Sequence, residues 1–174
     1  MQLKGDIVEC GTFHGLSAFQ IGKIIKEKSI DKSFHIFDSF EGLSVLNKDD
    51  DIGKTKNQDE ELRKQFAYGE NLVRQNLKDY NFINYYKGWI PDRFNEVQDK
   101  SFSFVHIDVD LYQPIKDSIE FFYPRLADRG IMVFDDYGYT AQFPGAKKAI
   151  DELIEELRPT FFLTLPSGQA FLIK

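Results

Sequence analysis

A chain of 174 residues, 42% of them hydrophobic and including 17 Phe and 8 Tyr, is long enough for one compact domain, 1–174, with a sizeable aromatic core. Its formal net charge of −6 excludes the basic footprint that a general nucleic-acid partner or an anionic membrane surface demands. A lone cysteine, Cys10, excludes an internal disulfide framework, no apolar run is long enough to cross a bilayer, and MQLKGDIVEC has no signal-peptide pattern, so the expected setting is cytoplasmic.

In chain order, GDIVEC (5–10) predicts a short strand that enters the glycine-bearing turn GTFHG. Leu16 to Lys28 carries Leu16, Phe19, Ile21, Ile24 and Ile25 at helical spacing, and SFHIF (33–37) is a second strand ending at Asp38. Residues 44–59 are polar and turn-rich and read as a mobile loop. A helix is predicted through ELRKQFAYGENLVRQNL, weakened in its middle by Gly69. NFINYYKG (81–88) and SFSFVHID (101–108) are strands three and four. Pro114 to Leu126 is amphipathic, GIMVFDD is strand five, and PGAKKAIDELIEEL is the last helix. The tail FFLTLPSGQAFLIK reads as two short strands about Pro166-Ser167-Gly168.

Strands alternating with helices imply βαβ units, hence an α/β, doubly wound, mostly parallel sheet with a C-terminal antiparallel hairpin. Ligands of such sheets sit beyond the carboxyl ends of the strands. The unusual polar residues all fall at those ends: Glu9 to Gly15, Asp38, Gly88, Asp108 with Asp110, and Asp135 with Asp136.

ECGTFHG has the spacing G-x-x-x-G and does not meet the dinucleotide fingerprint G-x-G-x-x-G. The turn still lets backbone approach a ligand and opens a helix, although any strand-to-helix turn favours glycine. Asp38 lies where doubly wound nucleotide binders place an acid on ribose hydroxyls; the plainer reading is a cap on the SFEG turn. Together the two features favour a nucleoside-type ligand, either NAD or S-adenosylmethionine.

FVHIDVDLY and GIMVFDDYG each end in two aspartates. If the strands are neighbours, these carboxylates repel unless protonated or bridged by a hard divalent cation such as Mg²⁺. An aspartate after a strand is also a common helix N-cap, and Asp110 could cap the helix that follows. Two pairs together favour the metal. His35 and His106 lie within apolar strands and read as core or interface residues; His14 could touch a bound carboxylate or serve structure. Cys10 reads as a packing residue, and Lys48 to Asp51 as a solvated loop able to close over the site.

GDIVECGTFHGLSA, HIFDSFEGL, YKGWIPD, FVHIDVDLYQPIKDSIEFFYPRLADRGIMVFDDYG and PGAKKAIDEL resemble, in order, the blocks of the macrocin O-methyltransferase (TylF) family. The resemblance covers nearly the whole chain and is most specific in the two aspartate blocks. It implies a Rossmann-like class I methyltransferase fold, with S-adenosylmethionine and Mg²⁺ as cofactors and a sugar or related natural-product hydroxyl as acceptor. Glu9, Gly11 and Gly15 would hold the methionine part of the cofactor, Asp38 and Ser39 the ribose, and Gly88 and Trp89 would lie near the adenine. Asp108, Asp135 and Asp136 would ligate Mg²⁺, and Asp110 would be the general base. Tyr137, Tyr139, Thr140 and Phe143 would line the acceptor pocket or cover the sheet edge.

Relatives carry an N-terminal helical segment that helps close the site and mediates assembly, whereas this chain begins almost at strand one. Acceptor and oligomeric state therefore stay open. Three readings compete: an NAD(P)-dependent oxidoreductase, a non-catalytic S-adenosylmethionine-binding module, and a metal hydrolase, which leaves Asp38 and the glycine turn unexplained.

Overall fold

The computed structural model describes residues 3–174. Its elements are β1 (Asp6–Cys10), α1 (Leu16–Glu27), β2 (Phe34–Asp38), α2 (Lys56–Gln65), α3 (Glu70–Asn76), β3 (Ile83–Lys87), a 3-10 turn (Phe94–Val97), β4 (Phe102–Ile107), α4 (Tyr112–Arg125), β5 (Leu126–Phe134), α5 (Pro144–Leu157), β6 (Phe161–Thr164) and β7 (Ala170–Ile173). The seven strands form one sheet in the order β3-β2-β1-β4-β5-β7-β6. The pairings from β3 through β5 are parallel, and β7 runs antiparallel to both β5 and β6. Strand order reverses between β1 and β4, the crevice where open α/β sheets bind ligands.

The period of two along the strands divides the core into two layers. Val8, Cys10, Val105, Ile107, Met132 and Phe134 face α4 and α5 and pack with Ile115, Ile119, Phe122, Ala149 and Ile150. Ile7, Phe34 and Ile36 face the other way, onto Ala18 and Ile25 of α1 and Val73 and Leu77 near α3. Phe122 is fully buried and meets Phe37, Phe94 and Phe102 at ring-centroid distances of 6.0, 4.8 and 5.1 Å, so the aromatic content is concentrated under α4. Cys10 is buried among these side chains, and burial pushes its thiol well up, as a packing role requires.

Three expectations are corrected. The predicted helix through 61–77 is two helices. Gly69 adopts φ −61° and ψ 137°, an extended conformation, and stands as the N-cap of α3. The polar loop is also shorter than 44–59, because Thr55 and Gln58 form a reciprocal capping box that starts α2 at Lys56. Strand five begins at Leu126, directly at the end of α4, and stops at Phe134, before the aspartate pair. Among the described residues no helix is long and apolar enough to cross a membrane.

Candidate functional site

The carboxyl ends of β1, β2, β4 and β5 meet around one cavity of about 360 Å³. Gly11 leaves β1 with φ 81°, and a Cβ on it would fall 1.8 Å from the Asp108 carbonyl oxygen, so only glycine lets the β1 and β4 ends close this tightly. Gly15, with φ 84°, is the left-handed N-cap of α1. The backbone amides of Thr12 and Phe13 donate to Asp38 Oδ2 at 2.7 and 3.3 Å, and that of Phe40 donates to Oδ1 at 2.6 Å. Asp38 thus fastens the glycine turn to the turn after β2, and burial still raises its pKa against those three donors. The Ser39 hydroxyl donates to the Gly42 carbonyl at 2.9 Å and accepts from the Glu41 amide at 3.0 Å.

Beside this turn, the Asp108 amide donates to the Cys10 carbonyl at 2.8 Å and the Asp135 amide to the Ile107 carbonyl at 3.0 Å. These bonds extend the parallel ladders past the last strand residues and aim the acids at one rim. Asp110 lies three residues beyond Ile107 with φ 59°. It does not cap α4: the cap is Leu111, which makes no side-chain cap bond. Instead the Asp110 amide donates to Asp136 Oδ2 at 3.0 Å. Asp135 Oδ1 accepts from Gln169 Nε2 at 3.0 Å, so the C-terminal hairpin also contributes to the rim.

The acids fall into two overlapping groups, with ligand atoms within 4.8 Å of one another in each: Asp108, Asp110 and Asp136, and His106, Asp108 and Asp135. This grouping differs from the expected trio of Asp108, Asp135 and Asp136 with Asp110 apart. Burial, then mutual repulsion, raises Asp108 and Asp136 well above the ordinary carboxylate range. Asp110 is pushed up to about 7 by burial and by Asp108. Burial works against a charged His106, but the hydrogen bond and field of Glu9, with Asp108 and Asp135, prevail and raise its pKa.

Of the expected site residues, Gly11, Asp38, Ser39, Gly88, Trp89, Asp108, Asp110, Asp135 and Asp136 line the cavity. Glu9 and Gly15 do not: Glu9 is fully buried in β1, and a Cβ on Gly15 would face Leu77 and Val73. Tyr139 and Phe143 line it, whereas Tyr137 bonds Asp151 at 2.8 Å and Thr140 lies elsewhere. His14 stacks on Phe13 at 3.8 Å, and His35 is buried between Asp6 and Tyr86. Thr12, Phe66 and Gln142 line the cavity without a sequence signal that singled them out.

The loop reading of Lys48 to Asp51 is corrected in part. Asp50 is buried and accepts from the Tyr112 amide at 2.8 Å and the Asn47 amide at 3.1 Å. Lys148 pairs with Asp49. The loop is pinned to the starts of α4 and α5.

The set fits both implied groups. Thr12 Oγ1 is buried without a partner beside a glycine cradle, as a nucleoside cofactor site would have it. The crowded aspartates offer oxygen atoms close enough together to suit a hard divalent cation.

The chain is 26% identical over 153 residues to the demethyldecarbamoylnovobiocin O-methyltransferase of Streptomyces niveus, covering 85% of this chain and 57% of that protein. It is 25% identical over 142 residues to the 8-demethyl-8-(2,3-dimethoxy-alpha-L-rhamnosyl)-tetracenomycin-C 4'-O-methyltransferase of Streptomyces olivaceus, covering 79% and 54%. It thus spans little more than half the length of these curated relatives. The solved structure of the O-methyltransferase NovP superposes with a TM-score of 0.83 at 23% identity, over 99% of this chain and 72% of that one, which makes the fold that of the class I methyltransferases. With the macrocin O-methyltransferase model matching residues 1–158, the chain belongs to the TylF family.

Proposed function

We propose that the protein transfers a methyl group from S-adenosylmethionine to a hydroxyl of a sugar or related natural product, with a divalent cation, Mg²⁺ or another hard ion, at the aspartate rim. One observation carries this reading. The Asp108–Asp110–Asp136 group and the Gly11–Asp38 turn line the same cavity, so a nucleoside cofactor and a chelated acceptor would meet there. Family membership and the relative named for 4'-O-methylation of a rhamnosyl tetracenomycin support it.

Gly11 and the amides after it would border the methionine part, and Asp38 would take the ribose hydroxyls. Asp38 Oδ1 accepts a single amide and keeps lone-pair capacity for an O–H donor. Trp89, 36% exposed, would flank the adenine with Gly88. Asp108, Asp135 and Asp136 would hold the cation, which, when bound, supplies Lewis-acid polarisation of the acceptor hydroxyl and balances the clustered charge. Asp110 would accept the hydroxyl proton. Burial, the first cause of its raised pKa, favours the protonated form and so strengthens it as a base. The apolar walls, Phe66, Phe143 and Val109 among them, would exclude water from the transfer. Placing donor methyl and acceptor oxygen in line supplies much of the rate.

A small-molecule acceptor, no nucleic acid and a cytoplasmic setting accord with the acidic charge and the single buried cysteine. The test is a panel of glycosides incubated with S-adenosylmethionine, with and without Mg²⁺, and read by mass spectrometry. A methylated product that depends on the cation supports the reading; cofactor turnover with no requirement for a divalent ion sinks the metal part of it.

A further inference from the structure

The antiparallel β5–β7 ladder pairs Phe134 with Ala170, and one further step of that register sets Asp135 opposite Gln169. Gln169 Nε2 donates to Asp135 Oδ1 at 3.0 Å, while Gln169 Oε1 accepts from the Ser167 hydroxyl, which fixes the way the amide faces. The β6–β7 turn is tied to the loop after β5 at two more points. The Gly138 amide donates to the Gly168 carbonyl at 2.7 Å, and the Tyr139 hydroxyl to the Ser167 carbonyl at 3.4 Å. A Cβ on Gly138 would lie 2.7 Å from Gly168 Cα, so the two turns pack backbone to backbone. Asp136 is buried and accepts the Asp110 amide, but the Asp135 side chain is 32% exposed, and among the described residues its carboxylate accepts a hydrogen bond from Gln169 alone. Asp135 lines the cavity and Gln169 does not. A lysine or arginine in this place would hold Asp135 as well and relieve the crowded charge, but it would stand in for a cation. A neutral amide orients the carboxylate and leaves its charge for an ion.

We propose that Gln169 is the positioning residue for Asp135: its amide holds that carboxylate in the orientation that meets the divalent cation, and so sets the affinity of the rim for the ion. The inference rests on the cation-binding reading above and adds the residue that tunes it. Hydrogen-bonded partners of ligating carboxylates act in this way. The rotational freedom that Asp135 gives up to Gln169 is lost before the ion arrives, and so does not weaken binding. The C-terminal hairpin thereby has a part in the site, because β7 enters the sheet beside β5 at the level of the acids. Gln169 bonds none of the residues assigned to the cofactor, so its effect should be confined to the ion.

The test is the affinity of the whole chain for Mn²⁺, read by electron paramagnetic resonance titration in the parent, Gln169→Met and Gln169→Ala. Methionine keeps the length and bulk of the side chain and loses the donor. Both variants should bind Mn²⁺ about 10- to 100-fold more weakly, melt close to the ion-free parent and keep the parent's affinity for S-adenosylhomocysteine. On top of Asp135→Asn, the change Gln169→Met should alter Mn²⁺ affinity by less than about twofold, because its effect passes through Asp135. Parent-like Mn²⁺ binding in the two variants overturns the inference while the cation site stands. A loss in Gln169→Ala that Gln169→Met restores also overturns it, since bulk and not the hydrogen bond would then be what counts. A full further loss in the double variant overturns it as well. A parent that binds no Mn²⁺ overturns both the inference and the reading beneath it. Should one of the two single variants fail to fold, the other decides.

Discussion

The backbone amide of Asp110 donates to the carboxylate of Asp136 at 3.0 Å, across 26 residues of chain. Asp136 therefore holds the left-handed turn that carries Asp110 (φ 59°) while adding to the charge of the rim. Asparagine at 136 keeps an acceptor oxygen but removes the charge. Asp136→Asn should melt at a higher temperature than the parent without divalent ions, because a buried repulsion is gone. It should also lose the stabilisation that divalent ions give the parent. Thermal melts with and without cation check both.

The acid cluster sets a pH dependence whose sign follows from the shifts. Asp108, Asp110 and Asp136 all have pKa values raised by folding, so the unfolded chain releases these protons at lower pH than the folded one. Their contribution is fully present below about pH 4, the ordinary carboxylate value, and is lost as pH rises through about 7 for Asp110. Chelator-treated protein should lose stability from pH 5 to pH 8 by these groups, and the Asp110→Asn and Asp136→Asn variants should show a flatter profile. Denaturant titration at a series of pH values measures it.

Asp50 stabilises the site from outside it. Its side chain accepts the Tyr112 amide, one of the free donors at the start of α4, which follows directly on Asp110. Asp50→Ala should cost about 1–2 kcal/mol by analogy with the loss of an N-cap, and Asp50→Asn considerably less. Gly145→Ala should destabilise through the same contact, since its Cβ would lie 2.0 Å from Asp50 Oδ1. Equilibrium unfolding in urea separates these outcomes.

Asp110 is assigned the proton and the other acids the cation. Asp110→Asn should lower methyl transfer about 100- to 10,000-fold, the usual range for removal of a general base, while leaving affinity for S-adenosylhomocysteine unchanged. Rates with a competent acceptor, paired with cofactor binding, test that separation.

The α/β, mostly parallel architecture followed from local pattern: short strands alternate with helices whose apolar spacing is strong. Gly11, Asp38 and the aspartates were legible because strand-end position alone places them on the ligand rim. Thr55 and Gln58 spelled a capping box that marks the start of α2, and Gly69 carried a break rather than a weak point. Asp50 was unreadable, since its partner Tyr112 lies 62 residues away and its neighbours look solvated. The same holds for His106. An apolar strand context indicates a core residue, and only the register that sets it opposite Glu9 and beside Asp135 gives it a direction.

The central claim, a methyl-donor site built on the Gly11 turn, is tested most directly by titrating S-adenosylhomocysteine into the protein in a calorimeter. The account predicts saturable one-to-one binding that Gly11→Ala abolishes, because its Cβ would meet the Asp108 carbonyl oxygen at 1.8 Å where φ is 81°. No heat of binding with folded parent protein, or saturable binding of NADH in its place, would contradict it.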